Sequence, residues 1–126
     1  SRRQRQMCIR DRGQRLETAV FNALRRRTPA VRVGSVCRLL IKEKSKSHEV
    51  DFVAGDALLM RAYSLIQVSV DIASEKTRER EIAALDASMA QFDLGESAIV
   101  TMDEQADIPC EHGAVHVVPA WKWLLA

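Results

Sequence analysis

Two neighbouring segments with strand character constrain this chain more than any other feature of its sequence. Residues 49–54 and 62–70 are rich in β-branched and aromatic side chains, and the pair Gly55-Asp56 marks a turn after the first segment. Each segment has the length of a single strand, and the two lie close together along the chain. They therefore predict a hairpin at the centre of a sheet.

Side chains alternate between the two faces of a strand, which divides this hairpin into apolar and polar rows. Val50 and Phe52 are predicted to share one face, and Asp51 is predicted to lie on the other. The second segment divides in the same way, with an apolar row of Ile66, Val68 and Val70 and a polar pair of Gln67 and Ser69. The polar rows at the rim of the sheet are the candidate place for chemistry.

The composition is typical of one compact globular domain. The chain has 126 residues, of which 47% are hydrophobic and 29% charged. Its uncharged runs are too short to cross a bilayer, and we recognise no secretory signal. Three cysteines are too few and too scattered for a disulfide framework. We therefore expect a cytoplasmic protein with no membrane partner.

The formal net charge of +2 is unevenly distributed along the chain. Residues 1–12 contain five arginines and one aspartate, whereas residues 13–126 contain 14 basic and 16 acidic residues. Residues 1–12 closely resemble the peptide encoded when a sequencing adapter is translated in frame. We expect them to be a non-native or disordered basic tail on a domain of residues 13–126. The alternative is a natural basic arm that binds phosphates.

Periodicity and turn residues predict the remaining elements. We expect helices over 13–27, from Glu75 to just before Gly95, and over 120–125, with strands over 30–36, 37–41, 97–102 and 115–118. Polar loops are predicted over 42–48 and 103–107. Trp121 and Trp123 cannot share one face of the last helix, so one is expected in the core and the other partly exposed. The predicted fold is a single α/β domain with a mixed central sheet flanked by helices.

Several short segments, taken in order, resemble one protein family. They are Leu16-Glu17-Thr18-Ala19-Val20-Phe21, Glu49-Val50-Asp51-Phe52-Val53, Gln67-Val68-Ser69, Thr77-Arg78-Glu79-Arg80-Glu81 and Ile99-Val100-Thr101-Met102-Asp103-Glu104. With the hydrophobic last helix, they resemble the C-terminal domain of unknown function of prokaryotic AAA-type ATPases. The resemblance covers residues 13–126. It implies a truncated fragment whose P-loop ATPase domain and winged-helix segment precede it.

The C-terminal domain of that family resembles the PD-(D/E)xK nuclease fold, so a restriction-endonuclease-like core is implied. In such nucleases an acid on the first helix, an Asp on one strand and an acid-x-Lys on the next meet at a sheet edge, where the carboxylates hold Mg²⁺. The matching positions here are Glu17, Asp51, Gln67 and Ser69. Because Gln67 replaces the second acid and Ser69 the lysine, the resemblance implies a degenerate site in which only Glu17 and Asp51 could bind metal.

These residues lead to one function and two alternatives. The leading hypothesis is a non-catalytic accessory domain that docks on its own upstream ATPase and winged-helix domains or senses nucleic acid. The first alternative is an active metal-dependent nuclease with an atypical site, and the second is a protein-interaction domain only. None of the five glycines approaches the spacing of a phosphate-binding loop. The resemblance implies that ATP and Mg²⁺ bind to the N-terminal domain of the parent.

Cys110, His112 and His116 form a separate candidate metal set with the spacing Cys-x-His-x-x-x-His. That spacing fits no common zinc pattern, and no fourth ligand lies close in sequence. The sequence therefore favours ordinary surface residues over a zinc site at these three positions.

Overall fold

The elements follow one another in an order that alternates helices with groups of strands. The computed structural model describes the backbone of residues 2–27, 36–43, 46–56, 61–70 and 72–125, and the side chains of residues 13–27, 50–54, 64–70 and 72–125. The elements are α1 (Arg2–Arg27), β1 (Val36–Glu43), β2 (Lys46–Asp56), β3 (Arg61–Val68), α2 (Glu75–Phe92), β4 (Glu96–Thr101), β5 (Ala106–Pro109), β6 (Ala114–Pro119) and α3 (Ala120–Leu125).

The strands form one mixed sheet in the order β1-β2-β3-β4-β6-β5. Strands β1, β2 and β3 pair antiparallel in sequence order. After the crossover through α2, β4 pairs parallel with β3, and β6 pairs parallel with β4. Strand β5 closes the other edge, antiparallel to β6. The predicted α/β domain with a mixed sheet flanked by helices is confirmed.

Each face of the sheet packs against helices and so has its own hydrophobic core. The core on the α2 side contains Val50, Val53, Leu65, Ile72, Ala84, Leu85, Met89, Ile99, Val115 and Val117. The core on the side of α1 and α3 contains Leu16, Val20, Leu24, Phe52, Ile66, Val100 and Ala120. Burial of this apolar surface on both faces is the main stabilising contribution to a three-layer domain.

Several predicted boundaries differ from those observed. Helix α1 begins at Arg2 rather than at residue 13, since the arginines, glutamines and methionine there are good helix formers. The predicted loop over 42–48 is wrong, because β1 runs to Glu43 and β2 begins at Lys46. The predicted strand over 30–36 lies outside the described residues except for Val36. The predicted loop over 103–107 overlaps β5 at Ala106 and Asp107, and pairing with β6 stabilises these residues as a strand.

A left-handed capping residue follows α2, and a contact between the ends of α1 and α3 joins these two helices. Helix α2 ends at Phe92, and the capping residue Asp93 adopts the left-handed conformation with φ 54°, two residues before the glycine expected to end the helix. The guanidinium of Arg27 lies 4.3 Å from the ring centroid of Trp123 and donates a hydrogen bond of 2.7 Å to the carbonyl of that residue. Arg27 therefore joins the end of α1 to the carbonyls that end α3.

Within the described part of the chain, none of the helices is both long and apolar enough to cross a bilayer.

Candidate functional site

The candidate site lies where β2 and β3 diverge. The antiparallel pairing of these strands extends as far as Phe52 and Ile66. Beyond this point β2 continues along β1, while β3 continues along β4 with Gln67 level with Ile99. Asp51 and Gln67, which face each other across the next position of the register, therefore stand at the fork between two strands.

Two reciprocal hydrogen bonds join the strands at this fork. The backbone N–H of Asp51 donates to Oε1 of Gln67 at 2.8 Å, and the backbone N–H of Val68 donates to Oδ2 of Asp51 at 2.8 Å. Each side chain thus accepts a hydrogen bond from a backbone N–H of the opposite strand. Gln67 is only 1% exposed, and a buried amide needs such partners because leaving a buried polar group unpaired is costly.

A β-bulge lies at the same place. Cys37 pairs with Val53 and Leu39 with Val50, so that Asp51 and Phe52 together oppose Arg38 alone. The extra residue resets the alternation of side chains, and a bulge often re-aims a side chain beside a functional site. Val50 consequently lies in the α2-side core with Val53, while Phe52 lies in the opposite core. The predicted common face for Val50 and Phe52 is therefore wrong.

The other two predicted site residues occupy neighbouring segments. Glu17 is half-buried on α1, one turn after Gly13, where an added Cβ would lie 3.7 Å from Val70. Ser69 is half-buried just after β3, and its backbone N–H donates to the carbonyl of Val100 at 3.0 Å. The first helix therefore lies beside the residues that follow β3.

The layers nevertheless separate Glu17 from Gln67. Gln67 is level with Ile99, whose side chain lies in the α2-side core, so Gln67 also points to the α2 side. Glu17 belongs to α1, which covers the opposite face. The structure thus joins Asp51 directly to Gln67 and places Glu17 in a different layer from Gln67.

The two histidines of the Cys-x-His-x-x-x-His set have separate carboxylate partners. The ring Nδ1 of His112 lies 3.3 Å from Oδ1 of Asp86, whereas Nδ1 of His116 lies 2.7 Å from Oδ1 of Asp107. The thiol of Cys110 approaches the carbonyl of Ile108 at 3.8 Å. The three residues do not act as one ligand set in this arrangement. No sequence pattern pointed to Asp86, because it lies on α2, 26 residues before His112.

Two of these side chains have perturbed acidities. The hydrogen bond that His116 donates to Asp107 raises the pKa of His116 above its ordinary 6.5, and the nearby charge of Glu96 acts in the same direction, while partial burial opposes them. Burial raises the pKa of the Cys110 thiol, and the negative charge of Asp86 adds to that effect. Cys110 is therefore not an activated thiolate.

Comparisons of the chain with protein-family models, with curated proteins and with solved structures return no match.

The reciprocal hydrogen bonds predict that Asp51 is needed for stability. Replacing Asp51 by Ala leaves the N–H of Val68 without its side-chain acceptor and should lower the free energy of unfolding by about 1–3 kcal/mol. Urea denaturation would measure the loss. The matched control is Asp103→Ala, an exposed carboxylate, which should change stability by less than about 0.5 kcal/mol. Equal effects of the two substitutions would contradict the assignment.

The contact between His116 and Asp107 predicts a pH-dependent contribution to stability. Because the folded-state pKa of His116 is raised, its contribution is complete below the unfolded-state value and disappears as the pH rises through the folded-state value. Asp107→Asn should therefore destabilise the protein more at about pH 5.5 than at about pH 8.5. It should also lower the His116 pKa in an NMR titration, whereas Asp103→Asn should not. An unchanged His116 titration would refute the contact.

Proposed function

We propose that this chain is a non-catalytic accessory domain of an ATP-binding, AAA-type protein, with a nuclease-like fold and a degenerate site. The single observation that best supports this is the pair of hydrogen bonds in which Gln67 accepts the N–H of Asp51 and Asp51 accepts the N–H of Val68. These bonds use the side chains of Asp51 and Gln67, which are matched to nuclease site positions, to join β2 and β3. ATP and Mg²⁺ would bind to the P-loop domain of the parent protein.

The chemistry expected of a nuclease explains why this arrangement supports a degenerate site. A hydrolytic Mg²⁺ site needs carboxylate oxygens that point together and a cation that stabilises the developing charge. Oδ2 of Asp51 already accepts the N–H of Val68. Gln67 contributes a neutral, buried oxygen, and Ser69 contributes no cation. Glu17 lies on the helix across the sheet from Gln67.

The layout of the fold supports the relation to nucleases. The positions matched to the strand Asp and to the acid-x-Lys motif lie on adjacent strands, β2 and β3, and they meet at the point where those strands separate. The position matched to the helix acid lies on the first helix, which runs beside the end of β3. A bulge at Asp51 is the local distortion that such a site commonly contains.

Docking on the upstream domains of the parent is our preferred role for this accessory domain. Residues 13–126 carry more acidic than basic residues, so the body of the protein offers no excess of positive charge to a nucleic-acid backbone. Helix α3 instead presents exposed apolar side chains, since Trp121 is 62% and Leu125 83% exposed, while Trp123 packs against the core. Exposed aromatic and aliphatic side chains are typical of protein contacts.

The absence of hydrolysis is the most direct test of the proposal. The purified chain should cleave neither DNA nor RNA in the presence of Mg²⁺ or Mn²⁺ beyond the level seen with Asp51→Ala. A gel assay on labelled single-stranded and duplex substrates would measure this. Cleavage that is abolished by Asp51→Ala but kept by Asp103→Ala would establish the alternative of an active nuclease with an atypical site.

Binding to duplex DNA separates docking from nucleic-acid sensing. We expect any binding to come from the basic residues 1–12, because a phosphate contact needs clustered positive charge. Replacing Arg2, Arg3 and Arg5 by Gln should preserve helix α1 and abolish filter binding at about 50 mM salt. If this variant still binds DNA, and the binding falls steeply as the salt concentration rises, the result would instead favour nucleic-acid sensing by residues 13–126.

A further inference from the structure

Three potential metal ligands meet at the turn between β5 and β6, away from the candidate nuclease-like site. They are Asp86 on α2 and Glu111 and His112 in the turn, and their ligand atoms all lie within 4.8 Å of one another. The set combines one imidazole nitrogen with two carboxylate oxygens from parts of the chain that are distant in sequence. Neither the hairpin site nor the proposed docking role uses these side chains.

We propose that Asp86, Glu111 and His112 bind a divalent first-row transition-metal ion of the Zn²⁺ type. The separation between His112 Nδ1 and Asp86 Oδ1 is 3.3 Å. Two ligands on a tetrahedral ion with bonds of about 2.1 Å are about 3.4 Å apart. The two atoms therefore already lie at the distance that coordination requires, and Glu111 needs only to orient its carboxylate toward the same point.

The backbone holds the turn in place before any ion binds. Residues 110–113 connect β5 to β6, and the N–H of Cys110 donates to the carbonyl of Gly113 at 2.7 Å. The N–H of His112 donates to Oδ1 of Asp86 at 2.9 Å, which joins the turn to α2. A carboxylate has about four acceptor positions, so this hydrogen bond leaves capacity for an ion.

Gly113 keeps the turn close to the start of β4. A Cβ at this position would lie 2.4 Å from the carbonyl oxygen of Gly95, a distance that no side chain permits. The N–H of Ala114 donates to the same carbonyl at 3.0 Å. The turn is thus packed closely against the residue that precedes β4, and metal binding would order only the three side chains.

The donor set favours one class of ion over others. Mg²⁺ and Ca²⁺ prefer oxygen ligands alone, whereas an imidazole nitrogen beside carboxylates suits Zn²⁺, Co²⁺ and Ni²⁺. Two carboxylates would balance the charge of the ion. Glu111 and His112 are exposed and Asp86 is half-buried, so solvent can complete the coordination. Such an ion would clamp the β5–β6 turn to α2.

This site is separate from the other polar clusters. Ala114, which follows the turn, is level with Glu96 at the start of β4, whereas Gln67 is level with Ile99, three residues further along. His116 lies between Val115 and Val117, both in the α2-side core, so its side chain points to the opposite face from Asp86. His116 is therefore a matched control that should not affect the ion.

Isothermal titration of the chelator-treated full chain with ZnCl₂ tests the proposal. We expect one Zn²⁺ per chain, no comparable heat with MgCl₂, and a rise in the unfolding temperature when Zn²⁺ is present. His112→Gln and Glu111→Gln should each weaken Zn²⁺ binding about tenfold or more, whereas His116→Gln should leave it unchanged. Circular dichroism would confirm that each variant is folded.

A second measurement keeps the test independent of stability. Co²⁺ bound to His112 should give a visible absorption spectrum that disappears in His112→Gln and persists in His116→Gln. Lack of Zn²⁺ binding to the wild-type chain at millimolar concentration would overturn the proposal. Binding that all three variants retain, or that only His116→Gln removes, would overturn it as well.

Discussion

The constraint on which the centre of the sheet depends is the pair of hydrogen bonds that the side chains of Asp51 and Gln67 accept across β2 and β3. Where β2 separates from β3, the side chains of Gln67 and Asp51 accept the backbone N–H groups of Asp51 and Val68. Buried N–H groups without acceptors cost about 1–3 kcal/mol each. The two hydrogen bonds thus join the strands where β2 continues along β1 and β3 continues along β4.

The hydrogen bonds at the fork use the same side chains that a catalytic metal site at this position would need. A carboxylate that binds a catalytic ion must point toward that ion, and an acid paired with it must be reachable by solvent and substrate. Asp51 instead directs an oxygen to a backbone N–H, and Gln67 is buried. A glutamine at position 67 can accept the N–H of Asp51 without bringing a second negative charge close to the Asp51 carboxylate. Gln67 therefore stabilises the fork without the charge repulsion that a second carboxylate would bring.

Local patterns predicted part of this fold, and tertiary pairing decided the rest. Helix α2 and strands β4 and β6 follow from periodicity, because each has an apolar row of the right spacing. The bulge at Asp51 could not be predicted, since it exists only in the register between β1 and β2. Asp51 and Gln67 were matched to site positions through the family resemblance, but their hydrogen-bond partners and the burial of Gln67 were not predicted. Nothing in the sequence brings Asp86 to His112, because α2 and the β5–β6 turn meet only in the folded chain.

The two carboxylates, Asp51 and Asp86, both accept a backbone N–H, yet their surroundings differ in the property that decides metal binding. The polar neighbour of Asp51 is the buried amide of Gln67. Its oxygen is neutral and is therefore a weaker metal ligand than a second carboxylate or an imidazole. Asp86 faces an imidazole at 3.3 Å and a second carboxylate, both exposed to solvent from which an ion can enter. The donor set at the fork is therefore suited to holding strands together, and that at the turn is suited to holding an ion. If a divalent ion binds to this chain, the geometry favours a structural role at the turn over a hydrolytic role at the fork.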